Sequence, residues 1–253
     1  MVFPHLRSFL SNSVACLCVT AAGFCCSAAA EPSKSTQKSE PVLVELFSNQ
    51  NCGACPKANK NLIDLMDSGK AFPIVWSVPY WDYLGWTDTY SKPEFVARQK
   101  AYAEIFDLRG PYTPQAVIDG CVQTSGTSKA AVEERVDATS KEDKPDIALR
   151  VTASALEISG DDDVGPVTLW LVGYKPGLTE VNPTAGGNAG KSLVHAHLAT
   201  SLKKLATWKD GDALEVPLDC RDEACLVIVQ EAEFGDILLF KPVPRKVIIQ
   251  AKG

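Results

Sequence analysis

Two cysteines separated by two residues, Cys52 and Cys55, are the side chains of this sequence best placed for chemistry. An apolar run at residues 42–47 predicts a buried strand before them, and residues 57–68 show a helical pattern after them. Backbone N–H groups at a helix N-terminus lack partners within the helix, so they stabilise a thiolate, the reactive form of cysteine. The two-residue spacing also lets a second thiol resolve a mixed disulfide. The pattern therefore predicts thiol–disulfide exchange, with Cys52 as the nucleophile and Cys55 as the resolving thiol.

The same spacing supplies half of a zinc site, but no second C-x-x-C and no nearby histidine pair follows in the sequence. A second segment, residues 112–120, contains a proline, a short apolar strand and an Asp-Gly turn. Together the two segments resemble the thioredoxin superfamily, in which a threonine or aliphatic residue precedes a cis-proline facing the cysteine pair. The resemblance implies that Pro114, preceded by Thr113, docks the substrate chain and keeps metal from the cysteines. It implies no organic cofactor.

Glu45 is the one charged residue in the apolar run before the cysteines. A carboxylate in the core costs several kcal/mol unless it is paired or protonated. The thioredoxin resemblance implies a role for it, because such proteins often hold an acidic residue behind the cysteine pair that moves protons during exchange. The alternative is a Glu45 exposed at a sheet edge.

Three motifs lie in residues 44–56 (VELFSNQNCGACP), 80–86 (YWDYLGW) and 112–115 (YTPQ). They resemble a family of secreted, thioredoxin-like bacterial proteins of unknown function, with typical motifs V-E-L-F-T-S-Q-G-C-x-x-C-P-P, H-V-D-Y-W-D-x-L-G-W and Y-T-P-Q. The resemblance covers residues 42–140 strongly and residues 188–208 more loosely. Four positions depart from the motifs, so any proton-transfer or metal role of the replaced side chains is absent: Asn51, Lys57, Ser77 and Pro79.

The two halves of the chain show different hydrophobic periods. Residues 41–140 predict an α/β thioredoxin-like domain, and the charged segment that follows predicts a domain boundary. Residues 145–253 alternate apolar and polar side chains over several short runs, which is typical of an all-β antiparallel sandwich. The last strand of this sandwich is predicted at residues 245–250.

Several other side chains have both a structural and a chemical interpretation. Cys220 and Cys225 are predicted to form a structural disulfide, with a second redox pair as the alternative. His195 and His197 are expected to be exposed on a strand rather than to bind metal, and Cys121 to be a buried small apolar residue. The aromatic residues are expected to cap the core, with a substrate groove as the alternative: Trp81, Tyr83 and Trp86.

Residues 1–30 predict a secretory signal peptide. Arg7 precedes an apolar stretch, and three alanines at residues 28–30 provide a cleavage site. Alternatives are an uncleaved membrane anchor and lipid attachment at Cys25 or Cys26. Residues 31–40 are polar and predict a flexible leader, and no later segment is long and apolar enough to span a bilayer.

The composition narrows the class of function further. With 45% hydrophobic and 22% charged residues, the chain is typical of a soluble globular protein. Its formal charge of −6 argues against nucleic acid or an anionic membrane as the main partner. The sequence predicts an exported thiol–disulfide oxidoreductase, periplasmic or secreted, acting on a thiol or disulfide protein or on a small thiol. The alternative is a non-catalytic binding module, in which the cysteine pair is structural or holds copper(I); no oligomeric state is indicated.

Cleavage after Ala30 predicts a mature chain that begins at or near Glu31. N-terminal sequencing of the exported protein measures this start directly. Recovery of the intact leader in the membrane fraction would contradict the prediction.

Overall fold

A mixed sheet of eight strands runs through both halves of the chain in this computed structural model, which describes residues 41–152, 155–160, 164–209 and 212–243. The strands of the described residues are, in chain order, β1 (Val42–Ser48), β2 (Ala71–Ser77), β3 (Gln115–Ile118), β4 (Val122–Ser125), β5 (Ile147–Val151), β6 (Ala155–Gly160), β7 (Val167–Val181), β8 (Leu193–Trp208), β9 (Leu214–Pro217), β10 (Ala224–Glu231) and β11 (Ile237–Pro242). The α-helices of the same residues are α1 (Cys55–Ser68), α2 (Pro93–Ile105) and α3 (Lys129–Thr139).

The strand order of the large sheet is β11-β10-β7-β8-β2-β1-β3-β4. Strands from the first half thus continue directly into strands from the second half, with β2 and β8 parallel neighbours. The predicted fold, an α/β thioredoxin-like domain followed by an all-β antiparallel sandwich, is therefore wrong. Hydrophobic alternation indicates where strands lie, but it does not specify which strand pairs with which. The segment limits predicted at residues 30, 40, 140 and 145 stay predictions.

The remaining strands form a three-stranded sheet, in the order β5-β6-β9. Its apolar side chains share one core with β7 and β10, because Leu156 and Ile158 of β6 belong to the same buried cluster as Leu169 and Val227. The small sheet therefore covers one face of the large sheet at its β7–β10 end. The strand predicted at residues 245–250 and the predicted leader lie outside the described residues.

Strand β1 separates two cores, because its side chains alternate between the faces of the sheet. Val44 and Leu46 pack with residues of α1 on one face. Leu43 and Phe47 pack on the other face with residues of α2 such as Tyr102. No helix in the described part of the chain combines the length and apolarity needed to cross a bilayer.

The contact between β2 and β8 depends on a histidine side chain as well as on the backbone pairing of the two strands. The two strands share the register pair Val75–Leu198, whereas Pro73 has no N–H to donate. His197 Nδ1 donates to the Pro73 carbonyl at 3.0 Å and its ring stacks on Phe72, with centroids 4.4 Å apart. Burial lowers the pKa of His197, although the bond to Pro73 opposes this. His197, in its neutral form, therefore stabilises the contact between β2 and β8 that joins the two halves of the chain.

His195 lies two residues earlier in β8 and is also buried. The expectation of exposed strand histidines is therefore wrong. Burial lowers the pKa of His195 from 6.5 to about 4, although a hydrogen bond with the Thr179 backbone opposes the change. Among the described residues, no group of three or more His, Cys, Asp or Glu side chains is placed to hold a metal ion.

An ion pair with no solvent exposure joins β1 to α2. The guanidinium of Arg98 binds Glu45 in a bidentate manner, with Nε donating to Oε1 at 2.6 Å and Nη2 donating to Oε2 at 2.9 Å. Tyr102 donates its hydroxyl to Glu45 Oε2, and Arg98 Nη1 donates to Gln230 Oε1 of β10. Burial acts to lower the pKa of Arg98, but the charge of Glu45, the interaction with Tyr102 and the hydrogen bond to Glu45 together raise that pKa. The Glu45 charge is therefore compensated inside the core, and the alternative of an exposed Glu45 is wrong.

Replacing Glu45 by Gln removes one partner of this buried pair and leaves the Arg98 charge uncompensated. We expect Glu45→Gln to lower the free energy of unfolding by about 3 to 5 kcal/mol, measured by urea denaturation. The matched control is Glu157→Gln, which breaks an equally bidentate pair with Arg150 whose side chains are 40% and 74% exposed. Solvent screens that pair, so the control should unfold like the wild type. Equal midpoints for the two variants would contradict this account.

The buried His195 makes the protein acid-sensitive. The unfolded chain takes up a proton near pH 6.5, whereas the folded protein does not until about pH 4, so stability falls as pH is lowered through this window. The difference is worth roughly 3 kcal/mol. We expect His195→Gln to lose about that much of the pH dependence, measured by urea unfolding between pH 4 and pH 7. An unchanged pH dependence in the variant would refute the assignment.

Candidate redox site

The cysteine pair lies where β1 passes into α1. Cys52 and Cys55 form a disulfide with their Cα atoms 5.3 Å apart. Cys55 is the first residue of α1 and its N–H donates to the Cys52 carbonyl at 3.1 Å, while Pro56 occupies the first turn. No side chain caps this helix N-terminus. The first-turn N–H groups are therefore not taken by a capping side chain next to the pair.

The second predicted segment lies beside this turn. The Thr113–Pro114 peptide bond is cis, and the antiparallel register Phe47–Gln115 places Pro114 at the end of β1 where the cysteine loop begins. A Cβ added at Gly126 would lie 2.9 Å from Ala58 Cβ of α1 and 3.6 Å from Pro114 Cβ. Pro114 and Ala58 therefore both pack around Gly126. The structure brings Pro114 to the first turns of α1, and the docking roles of Thr113 and Pro114 stay predictions.

The loop between β1 and Cys52 is held by buried amide side chains. Asn49 Nδ2 donates to the Val78 carbonyl at 2.6 Å, and Asn49 Oδ1 accepts from the Asn51 N–H at 2.6 Å. Gln50 donates its backbone N–H and its side-chain amide to the two carboxylate oxygens of Asp88 at 2.9 and 3.1 Å. Burial raises the pKa of Asp88, although N–H groups of Tyr90 and Gln50 oppose the rise. These hydrogen bonds thus hold the loop in place on the N-terminal side of Cys52.

A segment from the second half of the chain covers the same turn. Residues 182–192 connect β7 to β8, and Asn188 in this loop donates to the carbonyls of Gln50 and Cys52 at 2.9 and 3.0 Å. The sequence reasoning missed this contact. The only sign of it was the loose family resemblance at residues 188–208, which assigns no partner to Asn188.

Glu45 is not brought to the cysteines. It shares the face of β1 that carries Leu43 and Phe47, which packs against α2, whereas α1 packs on the opposite face. Its carboxylate is bound by Arg98 and Tyr102. The proton-relay role of Glu45 stays a prediction, and no contact in the structure links Glu45 to the sulfur atoms.

The aromatic segment lies at the rim of the site instead of in the core. Tyr83 is 75% exposed, so the expectation that it caps the core is wrong. Trp81 and Trp86 are half-buried, and their indole N–H groups donate to Thr113 Oγ1 and Gln50 Oε1, both at 2.7 Å. The segment therefore connects the cysteine loop to Thr113 and leaves aromatic surface open beside them.

The disulfide itself is almost covered, with Cys52 3% and Cys55 1% exposed. Gly53 and Ala54 between them are exposed. These two small residues form the surface next to the buried pair.

The other cysteines of the described residues are separate from this site. Cys220 and Cys225 form a second disulfide with Cα atoms 6.0 Å apart, inside the core shared by the two sheets. Cys121 is a free, half-buried thiol, and burial raises its pKa to about 11. That thiol is mainly protonated at neutral pH, which makes it a weak nucleophile.

Residues 43–230 match the family model described as "Protein of unknown function (DUF1223)". The chain belongs to this family. A crystal structure of a protein from Agrobacterium tumefaciens is similar in fold, with a TM-score of 0.67 and 24% sequence identity, over 82% of this chain and 95% of that one. No curated protein matches the chain. The family membership expected from the three motifs is thus confirmed at the level of a family of unknown function, without support for the thioredoxin part of the resemblance.

Proposed function

We propose that this DUF1223 protein is an exported thiol–disulfide oxidoreductase that works through Cys52 and Cys55. The observation that supports it most is the Cys52–Cys55 disulfide at the uncapped N-terminus of α1. A thiolate released at this position meets backbone N–H groups of the first turn, which favour the anion. A second disulfide, Cys220–Cys225, lies in the sheet core and has no such helix end.

The exchange proceeds through a mixed disulfide. When the protein oxidises a substrate, a substrate thiolate attacks the Cys52 sulfur and Cys55 leaves as a thiolate, which takes up a proton. A second substrate thiolate then displaces Cys52, so the substrate loses two electrons and the protein gains them. The reverse sequence reduces a substrate disulfide, with Cys52 attacking and Cys55 resolving.

The order of attack follows from the position of each cysteine. Cys52 precedes the uncapped first turn of α1, whereas Cys55 is the first residue of the helix. The substrate is a protein thiol or disulfide, or a small thiol, that approaches over Gly53 and Ala54. Pro114, with Thr113, provides the surface at which the substrate chain docks. Trp81 donates to Thr113 at this surface, and its ring centroid lies 6.1 Å from that of the exposed Tyr83.

Changing Cys55 to Ser removes the resolving thiol and leaves the nucleophile in place. We expect Cys55→Ser to accumulate covalent substrate complexes, because the mixed disulfide at Cys52 then has no internal thiol to release it. Non-reducing gels of the exported fraction, followed by reduction, detect these complexes. Cys52→Ser should form none.

The matched control is the second disulfide. Cys220→Ser and Cys225→Ser remove a covalent link from the core, so they should lower stability and leave trapping at Cys52 unchanged. Trapping by Cys220→Ser or Cys225→Ser in the absence of trapping by Cys55→Ser would place the redox centre elsewhere. A titration against glutathione adds a second criterion. A structural disulfide has a reduction potential below about −300 mV, so glutathione does not reduce it.

A further inference from the structure

Asn188 makes a two-pronged contact with the backbone of the cysteine loop. Its side chain is fully buried, and its Nδ2 donates to the carbonyl oxygens of Gln50 at 2.9 Å and of Cys52 at 3.0 Å. These carbonyls flank Asn51 on both sides. One amide group thus holds the 50–51 and 52–53 peptide units, and the second of these begins at the Cys52 carbonyl, next to the Cα that carries the Cys52 side chain.

The orientation of this amide is determined by its other contact. Lys191 Nζ donates to Asn188 Oδ1 at 2.9 Å. A reversed amide would place its oxygen against two carbonyl oxygens and its NH₂ group against an ammonium, losing all three hydrogen bonds. Asn188 therefore acts only as a donor toward the cysteine loop.

The two residues before Asn188 allow the loop to approach so closely. A Cβ added at Gly186 would lie 1.9 Å from Asn51 Oδ1, and one added at Gly187 would lie 2.4 Å from the Asn51 carbonyl oxygen. Gly186 also has a φ of +77°, which favours glycine. Residues 186–188 are therefore shaped to the cysteine loop, with no room for side chains before the asparagine.

The Cys52 carbonyl also accepts the N–H of Cys55, so it receives two donors at once. The helix supplies one donor and the β7–β8 loop supplies the other. Loss of the Asn188 bond would leave the Cys52 carbonyl bound by the helix alone, although the Cys52 N–H would still donate to the Asn49 carbonyl. The direction of the Cys52 sulfur toward the first turn of α1 would then be less well defined.

We infer that Asn188 is a positioning residue for thiol–disulfide exchange: it acts through the Cys52 backbone to aim the nucleophile at the N-terminus of α1. This inference rests on the proposed function of the Cys52–Cys55 pair. It assigns to the second half of the chain a direct part in the redox chemistry of the first half.

The variant Asn188→Asp tests the hydrogen bonds without changing shape. It keeps the oxygen that faces Lys191 and replaces the two donations by an oxygen turned toward the carbonyls of Gln50 and Cys52. We expect the rate of mixed-disulfide formation with oxidised glutathione to fall roughly tenfold or more, because the nucleophile loses its orientation. We also expect the pH midpoint of Cys52 alkylation by iodoacetamide, read by peptide mass spectrometry on reduced protein, to rise.

Two further variants separate the charge from the donor. Asn188→Ala removes the donor without adding a charge and should shift both readouts in the same direction by a smaller amount. Lys191→Ala leaves Asn188 in place and removes only its exposed anchor, so it should cause the smallest shift and fold normally. The control is Asn182→Ala, which changes an exposed asparagine of the same loop whose side chain donates to Glu180, and it should match the wild type.

The outcomes distinguish this inference from the proposed function. A wild-type pair that does not exchange with glutathione overturns the proposed function, whatever the variants do. A wild type that exchanges, with Asn188→Asp and Asn188→Ala equal to Asn182→Ala in rate and alkylation midpoint, overturns the role of Asn188 alone. A slower rate with an unchanged midpoint also overturns it, because a merely structural loss would not move the ionisation of Cys52.

Discussion

The parallel docking of β8 on the edge of β2 is the contact on which the rest of the structure depends. It joins two groups of strands into one sheet and carries the β7–β8 loop to the cysteine turn. The ladder between the two strands is short, because Pro73 cannot donate within β2. His197 compensates by binding the free carbonyl of Pro73 with its ring.

A buried polar network also joins the two groups of strands, on the face of the sheet opposite α1. Arg98 of α2 binds Glu45 of β1 and Gln230 of β10, and the rings of Trp76 and Trp170 lie within 6 Å of its guanidinium. A charge in such a place is tolerated because each of its partners is present. Arg98, which binds the acidic residue of β1, thus connects the halves of the protein on the face of the sheet opposite α1.

The candidate redox site combines a local and a distant part. β1, the turn and α1 are consecutive in sequence, and they place Cys52 and Cys55 at a helix N-terminus. Pro114 reaches the same place through the β1–β3 register, and Asn188 reaches it through the loop before β8. The proposed exchange uses the two cysteines of the consecutive part, whereas the proposed orientation of Cys52 depends on the distant residues.

The sequence by itself determined the local features: the cysteine pair before a helix and the strand on each side of it. Each follows from spacing and periodicity within about ten residues, which short-range sterics enforce. Tertiary structure alone decided that β8 pairs with β2, that Glu45 meets Arg98 and that Asn188 binds Cys52. The partners in the last two contacts are 53 and 136 residues apart, so no periodic pattern in the sequence indicates them. An alternating strand can pair with many sheet edges, and only the packing of the whole chain determines which edge it joins.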